Sequence, residues 1–404
     1  MKTLIMLVGN ADSPFVLNEL PYICNSFEKV YIFAYNTSSD SEIKHILPKN
    51  VYVYHVNVCK GRKRIFRYCA QGIVNFVPEL RIKESSLKKK LAALYARGRA
   101  QSVYNYVMSV IDREKIDCTN GVIYSYWFTD QAIVAWRVAE ELNKRGGNFK
   151  SVSRAHGYDL YWERNGAGYL PFQEVSLKHL NGVFPCSEQG ANYLAAKYPG
   201  QRSKISVARL GTSDFGVGPI PTNEKVVFIT CSRLDDNKRV SLFAKAFCEL
   251  WKRNKNCHWY CIGDGIRRKE IEDIISLAGA DSAVTMLCNM ANEDVMSFYK
   301  QTPITYFINV SKSEGVSVSI MEAMSFGVPV IATNVGGTGE LVSDLCGNLI
   351  DADINSDSLW LTLRSAINLS YSKYCRMRES ARSIWEEKAS AEKIYNNWCK
   401  LLTR

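Results

Sequence analysis

Two carboxylates eight residues apart, Glu314 and Glu322, stand in the stretch KSEGVSVSIMEAMSFGVPVIATNVGGTGE that runs from Lys312 to Glu340. The apolar run ITYFINVS (304–311) before it reads as a buried strand. Ser319 lies three residues before Glu322, the spacing of a capping box, and Gly327 followed by Pro329 supplies a stop. A helix is therefore expected over 318–326, roughly 13 Å long. A helix that starts beyond the carboxyl end of a strand turns its free amides and positive dipole end toward whatever binds there. Anions and hydroxyl-rich ligands suit that position, and Gly315 lets a ligand come close to the backbone. Taken singly, Glu322 reads equally well as a helix cap and Glu314 as a solvated loop acid. Their combination with small residues and a Gly-rich turn is what points to a site.

The elements that must position these groups alternate along the chain. TLIMLVG, KVYIFAY, VYVYHVNV, GVIYSYWF, KSVSRAH, GVFPCS and ISVARLG are expected strands up to Gly211. KVVFITCS, HWYCIGDG, AVTMLCNM, ITYFINVS and PVIATNV follow, and helical patterns fall between them. Continuous Val/Ile/Tyr runs with helical spacers predict parallel sheets covered on both faces. GVGPIPTNEK (216–225), rich in Gly and Pro, is the best linker candidate, and from Asn355 onward the pattern is helical. With 404 residues, the chain fits two domains of about 200 residues each. The fold class read from this is α/β, with two doubly wound parallel-sheet, Rossmann-like domains around a central cleft and a helical C-terminal tail.

Composition narrows the function classes. No run of apolar residues is long enough to span a bilayer, and MKTLIMLVG reads as a first strand rather than a signal peptide. The thirteen cysteines are dispersed without a C-x2-C pair, which suggests a reducing, cytoplasmic setting and no structural zinc. The net charge of +11 is concentrated: between Lys60 and Arg99 twelve Lys and Arg face only Glu79 and Glu84. GRKRIFRYCAQGIVNFV mixes those cations with Phe, Ile, Val and Tyr, as an interfacial helix does, so 60–99 is a candidate contact with an anionic membrane. A solvated pair of helices is the plainer reading. No nucleic-acid module is recognisable, and no nucleic-acid partner is expected.

The stretch SEGVSVSIMEAMSFGVPVIATNVGGTGELV resembles the signature of glycosyltransferase family 4, retaining enzymes with the GT-B fold. The resemblance implies that Glu314 contacts hydroxyls of a donor sugar as a catalytic-site group. It implies that the backbone of Gly315, Val316, Ser317 and Val318 lines the sugar and phosphate site, and that Glu322 holds the ribose diol. A carboxylate accepts two hydrogen bonds from a vicinal diol. TCSRLDDNKRVSLFAKAF (230–247) resembles the family segment whose Arg and Lys, here Arg233 and Lys238, hold the donor diphosphate. The neighbouring Arg239 is open to confusion with Lys238. WYCIGDGIRRKEIEDII (259–275) resembles the strand–turn–helix beside the nucleotide and brings in Gly265; it lacks the third glycine of a dinucleotide fingerprint.

In the first half, SVSRAHGYDLYWERN resembles the segment in which a His, here His156, ends a strand facing the donor sugar as a second catalytic residue. VGNADSPFVLNEL places Gly9 after the first strand as a candidate acceptor or phosphate loop. The resemblance divides the chain into an acceptor-binding domain (1–215), a linker (216–225), a nucleotide-sugar-binding domain (226–385) and a terminal helix (386–404) packing back toward the first domain. It implies a nucleotide-sugar donor, no cofactor, no metal, and a lipid-linked surface-glycan acceptor met at the cytoplasmic face of the inner membrane. Three rival readings remain open at this point. Asp351-Ala352-Asp353 matches the Asp-x-Asp of metal-dependent GT-A transferases, although its late position reads as a loop. A GT-B epimerase or phosphorylase, and an inactive nucleotide-sugar-binding protein, are the others.

Overall fold

The computed structural model describes residues 2–36, 47–56, 63–74, 77–84, 86–222 and 225–403. Lys60 and Arg62 of the basic stretch, and residues 223–224 of the expected linker, lie outside them. The chain divides into one unit of Met1–Arg209 with Tyr395–Arg404 and a second of Leu210–Ile394.

In the first unit the order is β1 (Thr3–Val8), α1 (Pro14–Ser26), β2 (Lys29–Ala34), β3 (Val51–His55), α2 (Lys63–Val74), α3 (Leu87–Arg113), β4 (Asn120–Ser125), α4 (Asp130–Lys144), β5 (Asn148–Ala155), α5 (Gln173–His179), β6 (Gly182–Pro185) and α6 (Glu188–Lys197). The six strands form one sheet in the order β3-β2-β1-β4-β5-β6, with every pair parallel. All six residues of β1 are buried, as a strand covered on both faces requires. ISVARLG, expected as a seventh strand, makes only a bridge between Val183 and Ile205. Its partner β6 has only four residues, too few to carry a longer ladder.

The second unit contains β7 (Val226–Cys231), α7 (Val240–Arg253), β8 (Cys257–Ile262), α8 (Arg268–Leu277), β9 (Val284–Leu287), α9 (Asn292–Gln301), β10 (Tyr306–Asn309), α10 (Val318–Ser325), β11 (Val330–Thr333), β12 (Gly347–Ile350), α11 (Ser356–Ile367) and α12 (Tyr371–Lys388). Its sheet order, β12-β11-β10-β7-β8-β9, is the first unit's order repeated. Each sheet reverses its winding between its first and fourth strands, β1 and β4 or β7 and β10. Doubly wound sheets bind ligands at that switch point, beyond the carboxyl ends of the strands. Phe228, Phe243, Phe247 and Trp259 pack edge to face beneath the second sheet. The last helix, α13 (Ala391–Thr403), belongs to the first unit from Tyr395 onward.

The segment before β7 lacks regular structure yet is held in place. Trp385 donates to Thr212 Oγ1 (2.8 Å), Arg382 reaches both oxygens of Asp214 (2.9 and 2.6 Å), and Arg378 donates to the Gly218 carbonyl (2.9 Å). The division into units accordingly falls before this strap, at Arg209/Leu210, rather than in the Gly/Pro-rich run at 216.

Candidate active site

The loop after β7 is built to present Lys238. Asp235 Oδ1 accepts from the backbone N–H of Asn237 and of Lys238 (both 3.0 Å), closing a tight turn. Arg239 then takes a left-handed conformation (φ 50°) to start α7. Its guanidinium donates to the carbonyls of Val310 and Ala352, each at 2.7 Å. Asn237 adds a side-chain bond to the Ser313 carbonyl (3.1 Å) and accepts from the Lys312 N–H (2.7 Å). The two loops beyond β7 and β10 are thus tied at several points. Lys238 Nζ donates to Glu314 Oε1 at 2.6 Å. The side chains of this pair are only 17% and 10% exposed, so their attraction is weakly screened. Lys238 and Arg239 act differently: the first pairs with Glu314, the second ties the β7 loop to the carbonyls of Val310 and Ala352.

Glu314 is held from below. Asn309, the last residue of β10, donates to Glu314 Oε1 (3.3 Å) and to Ser317 Oγ (3.1 Å), and its own oxygen accepts from the Ser311 N–H (3.1 Å). Gly315, Val316 and Ser317 lead into α10, whose first residue is Val318; Gly315, Val316 and Val318 are half-buried. The Gly-Gly turn packs against this loop, with the Gly337 N–H donating to the Gly315 carbonyl at 2.7 Å. Gly336 has φ 57°, and a Cβ there would sit 1.8 Å from the Glu314 carbonyl oxygen, so only glycine fits.

The expected capping box is absent. Ser317, not Ser319, is the N-cap of α10, and neither capping bond forms. Ser317 Oγ is engaged by Asn309 and lies 3.1 Å from Ser319 Oγ. Glu322 instead accepts from Asn292 Nδ2 (2.8 Å), at the start of α9. Glu322 is buried, and that burial pushes its carboxyl up to about 7, with the Asn292 bond pulling the other way. The Cys231 thiol at the end of β7 is pushed up to about 12 by burial and by Glu322, while Lys238 opposes it. Lys238 and Glu322 therefore act on one neighbourhood. The far end of α10 follows expectation: Gly327 (φ 72°) donates to the Met324 carbonyl and Val328 to that of Ala323, a Schellman close.

Arg233 stands apart. Its side chain is 79% exposed and pairs with Asp235 (3.1 Å). Gly265 lies in the turn after β8, where Leu234 N–H donates to the Asp264 carbonyl (2.9 Å). A Cβ on Gly265 would meet the Leu234 carbonyl oxygen at 2.4 Å, and one on Gly263 would meet that of Ser232 at 1.9 Å. The Gly-Asp-Gly turn thus serves close approach of the β7 and β8 loops. Asp351 and Asp353 follow β12 in an irregular turn beside an open cavity of about 880 Å³.

In the first unit, His156 follows β5, with its ring between Tyr126 (4.9 Å) and Trp127 (4.7 Å). Neither ring nitrogen makes a hydrogen bond among the described residues; Nδ1 lies 3.6 Å from Asp159 Oδ2. Asp159, fully buried, shapes this loop by accepting from the N–H groups of His156 (2.8 Å), Gly157 (3.1 Å) and Phe128 (2.8 Å). Gly9 follows β1, and a Cβ there would make an ordinary 3.5 Å contact with Trp127 Nε1. Space therefore does not demand glycine at that position. Gly9 and His156 share the aromatic cluster at the first unit's switch point. Asn309, Asn292 and Asp159 were not singled out from sequence as positioning groups, because none of them carries a spacing signature.

Comparison with known proteins decides what this second unit is. Residues 214–384 match the family model of glycosyl transferases group 1. The second unit is a group 1 glycosyltransferase domain. Curated relatives of this transferase domain include the alpha-D-kanosaminyltransferase of Streptomyces kanamyceticus, 25% identical over 122 residues, 30% of this chain and 31% of that enzyme. WcaL of Escherichia coli K12, named for colanic acid biosynthesis, is 24% identical over 259 residues, 61% of this chain and 62% of WcaL. The chain thus matches about a third of the first relative's length and under two thirds of WcaL's. Among solved structures, HepE of Anabaena in complex with UDP superposes with a TM-score of 0.69 at 15% identity, covering 100% of both chains. The lipopolysaccharide outer core galactosyltransferase WaaB gives 0.66 at 15% identity, again covering 100% of both. At such identities the likeness establishes the fold, which is the GT-B class with two Rossmann-like halves.

Proposed function

We propose that the protein is a retaining, metal-independent glycosyltransferase. It moves a sugar from a nucleotide-diphosphate sugar to a hydroxyl of a lipid-linked surface-glycan intermediate at the cytoplasmic face of a membrane. The observation that carries this reading is the Lys238–Glu314 pair fixed beyond β7 and β10, with Glu322 in the same neighbourhood. Glu322 accepts the ribose diol, Glu314 a sugar hydroxyl, and Lys238 faces the diphosphate, with Arg233 reaching it from solvent. In the reaction the bond from the anomeric carbon to the diphosphate oxygen breaks as the acceptor oxygen bonds to the same face. The acceptor proton passes to that diphosphate oxygen. Lys238 stabilises the charge that grows on the leaving group, an effect of several kcal/mol in pre-organised sites. His156, on the first unit, is the candidate contact to the transferred sugar.

Support for a nucleotide-sugar donor comes from HepE, whose structures hold UDP and UDP with glucose. Support for the membrane comes from α2, where Ile65, Phe66, Ile73 and Val74 are exposed beside Lys63, Arg64 and Arg67. No helix among the described residues is long and apolar enough to cross a membrane. The test is product analysis with a panel of nucleotide-diphosphate sugars, with and without acceptor, and with EDTA. Transfer is expected to need acceptor, survive EDTA, retain the anomeric configuration and fall at least a hundredfold in Glu314→Ala. Full transfer by Glu314→Ala in a working assay overturns the role given to that acid.

A further inference from the structure

The first unit holds a cavity of about 440 Å³ that the chemistry above does not use, within the range of about 300–1,000 Å³ common to small-ligand sites. Its walls are mostly apolar and aromatic, with Tyr95, Phe128, Tyr158, Tyr169 and Leu170 among them. Its lining includes Tyr158, two residues beyond His156, and Arg64, Ile65 and Leu91 of α2 and α3. Ile65 and Leu91 are themselves 55% and 46% exposed, so the apolar lining is continuous with the outer surface. One internal cation, Arg99, is already neutralised: it pairs through two bonds with the buried carboxylate of Asp130. Arg64 is the lining cation on the solvent side, and exposed Lys88 and Lys90 lie on the adjoining turn of α3.

The helices beside this cavity are closely packed. Helices α2 and α3 touch backbone to backbone at two glycines: a Cβ on Gly98 would lie 1.9 Å from the Tyr68 carbonyl oxygen, and one on Gly72 2.1 Å from that of Leu94. Buried Arg97 closes the pair by donating to the carbonyls of Gly72 (2.7 Å) and Leu80 (3.1 Å).

We propose that this cavity binds the hydrocarbon chain of an anionic amphiphile, a long-chain alkyl phosphate, with the phosphate at Arg64 and the cavity walls around the first part of the chain. The proposal rests on the acceptor reading above and deepens it by naming the anionic alkyl carrier of that acceptor. Charge complementarity selects the occupant. A neutral glycolipid leaves Arg64 unused, and a free sugar phosphate leaves the apolar walls unused.

The experiment is a thermal-shift and fluorescence titration of the full chain with octyl, decyl and dodecyl phosphate below their micelle concentrations. Inorganic phosphate and octyl glucoside serve as controls. Affinity is expected to rise with each added methylene, by up to about fourfold per group, and to level off once the cavity is full. Arg64→Gln should weaken alkyl phosphates at least fivefold and leave octyl glucoside unchanged. Ala96→Trp, which fills the cavity, should abolish the chain-length dependence. Leu91→Asp, at the exposed edge, should do the same if the tryptophan variant does not fold. Chain-length dependence unchanged in the folded cavity variants overturns the proposal, and so does equal affinity for octyl glucoside and octyl phosphate. A parallel titration with nucleoside diphosphates reads the second unit alone. Its failure would count against the donor reading and leave the cavity result standing.

Discussion

Glu322 is a carboxylate kept where ionisation is costly. Its ordinary value is 4.5, and burial moves it to about 7. The folded protein therefore takes up a proton at this site between those pH values. Stability contributed by the protonated form is present below about pH 4.5 and is lost as pH rises through 7, a change of roughly 3 kcal/mol. A ribose diol that donates two hydrogen bonds favours the ionised form. Affinity for a nucleoside diphosphate should accordingly rise about tenfold between pH 5.5 and 7.5, beyond what titration of the ligand phosphate explains. Glu322→Gln is expected to lose that extra rise and to melt higher than wild type above pH 7. Calorimetry at several buffer pH values checks both. Equal pH dependence in the two proteins would remove Glu322 from the diol. Glu314, Glu322 and Lys238 could be singled out as candidates in the sequence because they stand in short, spaced motifs. Asn292 and Asn309 were not, because a single polar residue at a helix start or strand end says nothing of a partner on another element.

The loop from Val310 to Val318 is shaped by neighbouring loops more than by its own sequence. Asn309 holds it from the strand, Asn237 and Arg239 from the β7 loop, and Gly336 from the turn after β11. Gly336→Ala must move the Glu314 carbonyl or leave the left-handed region. We expect it to cost more than about 2 kcal/mol of stability and to weaken nucleotide-sugar binding at least tenfold. Urea unfolding and a binding titration on the same preparation measure both effects. Wild-type values in the two would mean that the glycine turn is slack. The capping box failed as an expectation because the helix starts at Val318, which puts Ser319 inside its first turn and leaves Glu322 to answer a different partner. The four-residue β12, with Gly and Asn, was too short to stand out as a strand. ISVARLG alternates like one but finds only a four-residue strand beside it.

At the scale of the molecule, two parallel sheets covered by helices were legible from alternation, because buried parallel strands must be continuously apolar; their identical strand order was not. The unit boundary was not, since the bonds that hold 212–218 come from α12, far along the chain. For α13 a terminal helix packing back toward the first domain was expected from the resemblance, but its partners there were not legible. Trp398 is buried and donates to Glu19 Oε1 at 2.7 Å, and the Arg154 guanidinium lies 4.5 Å from its ring. Glu19 is itself fully buried, and burial raises its carboxyl despite Arg154 at 3.7 Å. Trp398→Ala removes a large packed ring and a donor to a buried acid. It is expected to destabilise the first unit by about 3–5 kcal/mol while leaving nucleoside diphosphate binding intact. Equilibrium unfolding beside a ligand titration tests the separation. A loss of binding in a folded Trp398→Ala protein would show that the units do not act independently in that respect.

The central claim is that Lys238, Glu314 and Glu322 hold one nucleotide-diphosphate sugar at the switch point of the second sheet. Calorimetric titration of a nucleoside diphosphate panel into wild type, Lys238→Ala and Glu322→Ala tests it most directly. The expected result is one nucleoside diphosphate bound at a single site, at least tenfold more weakly in each variant. Equal affinity in all three proteins, or no binding of any member of the panel, contradicts the claim.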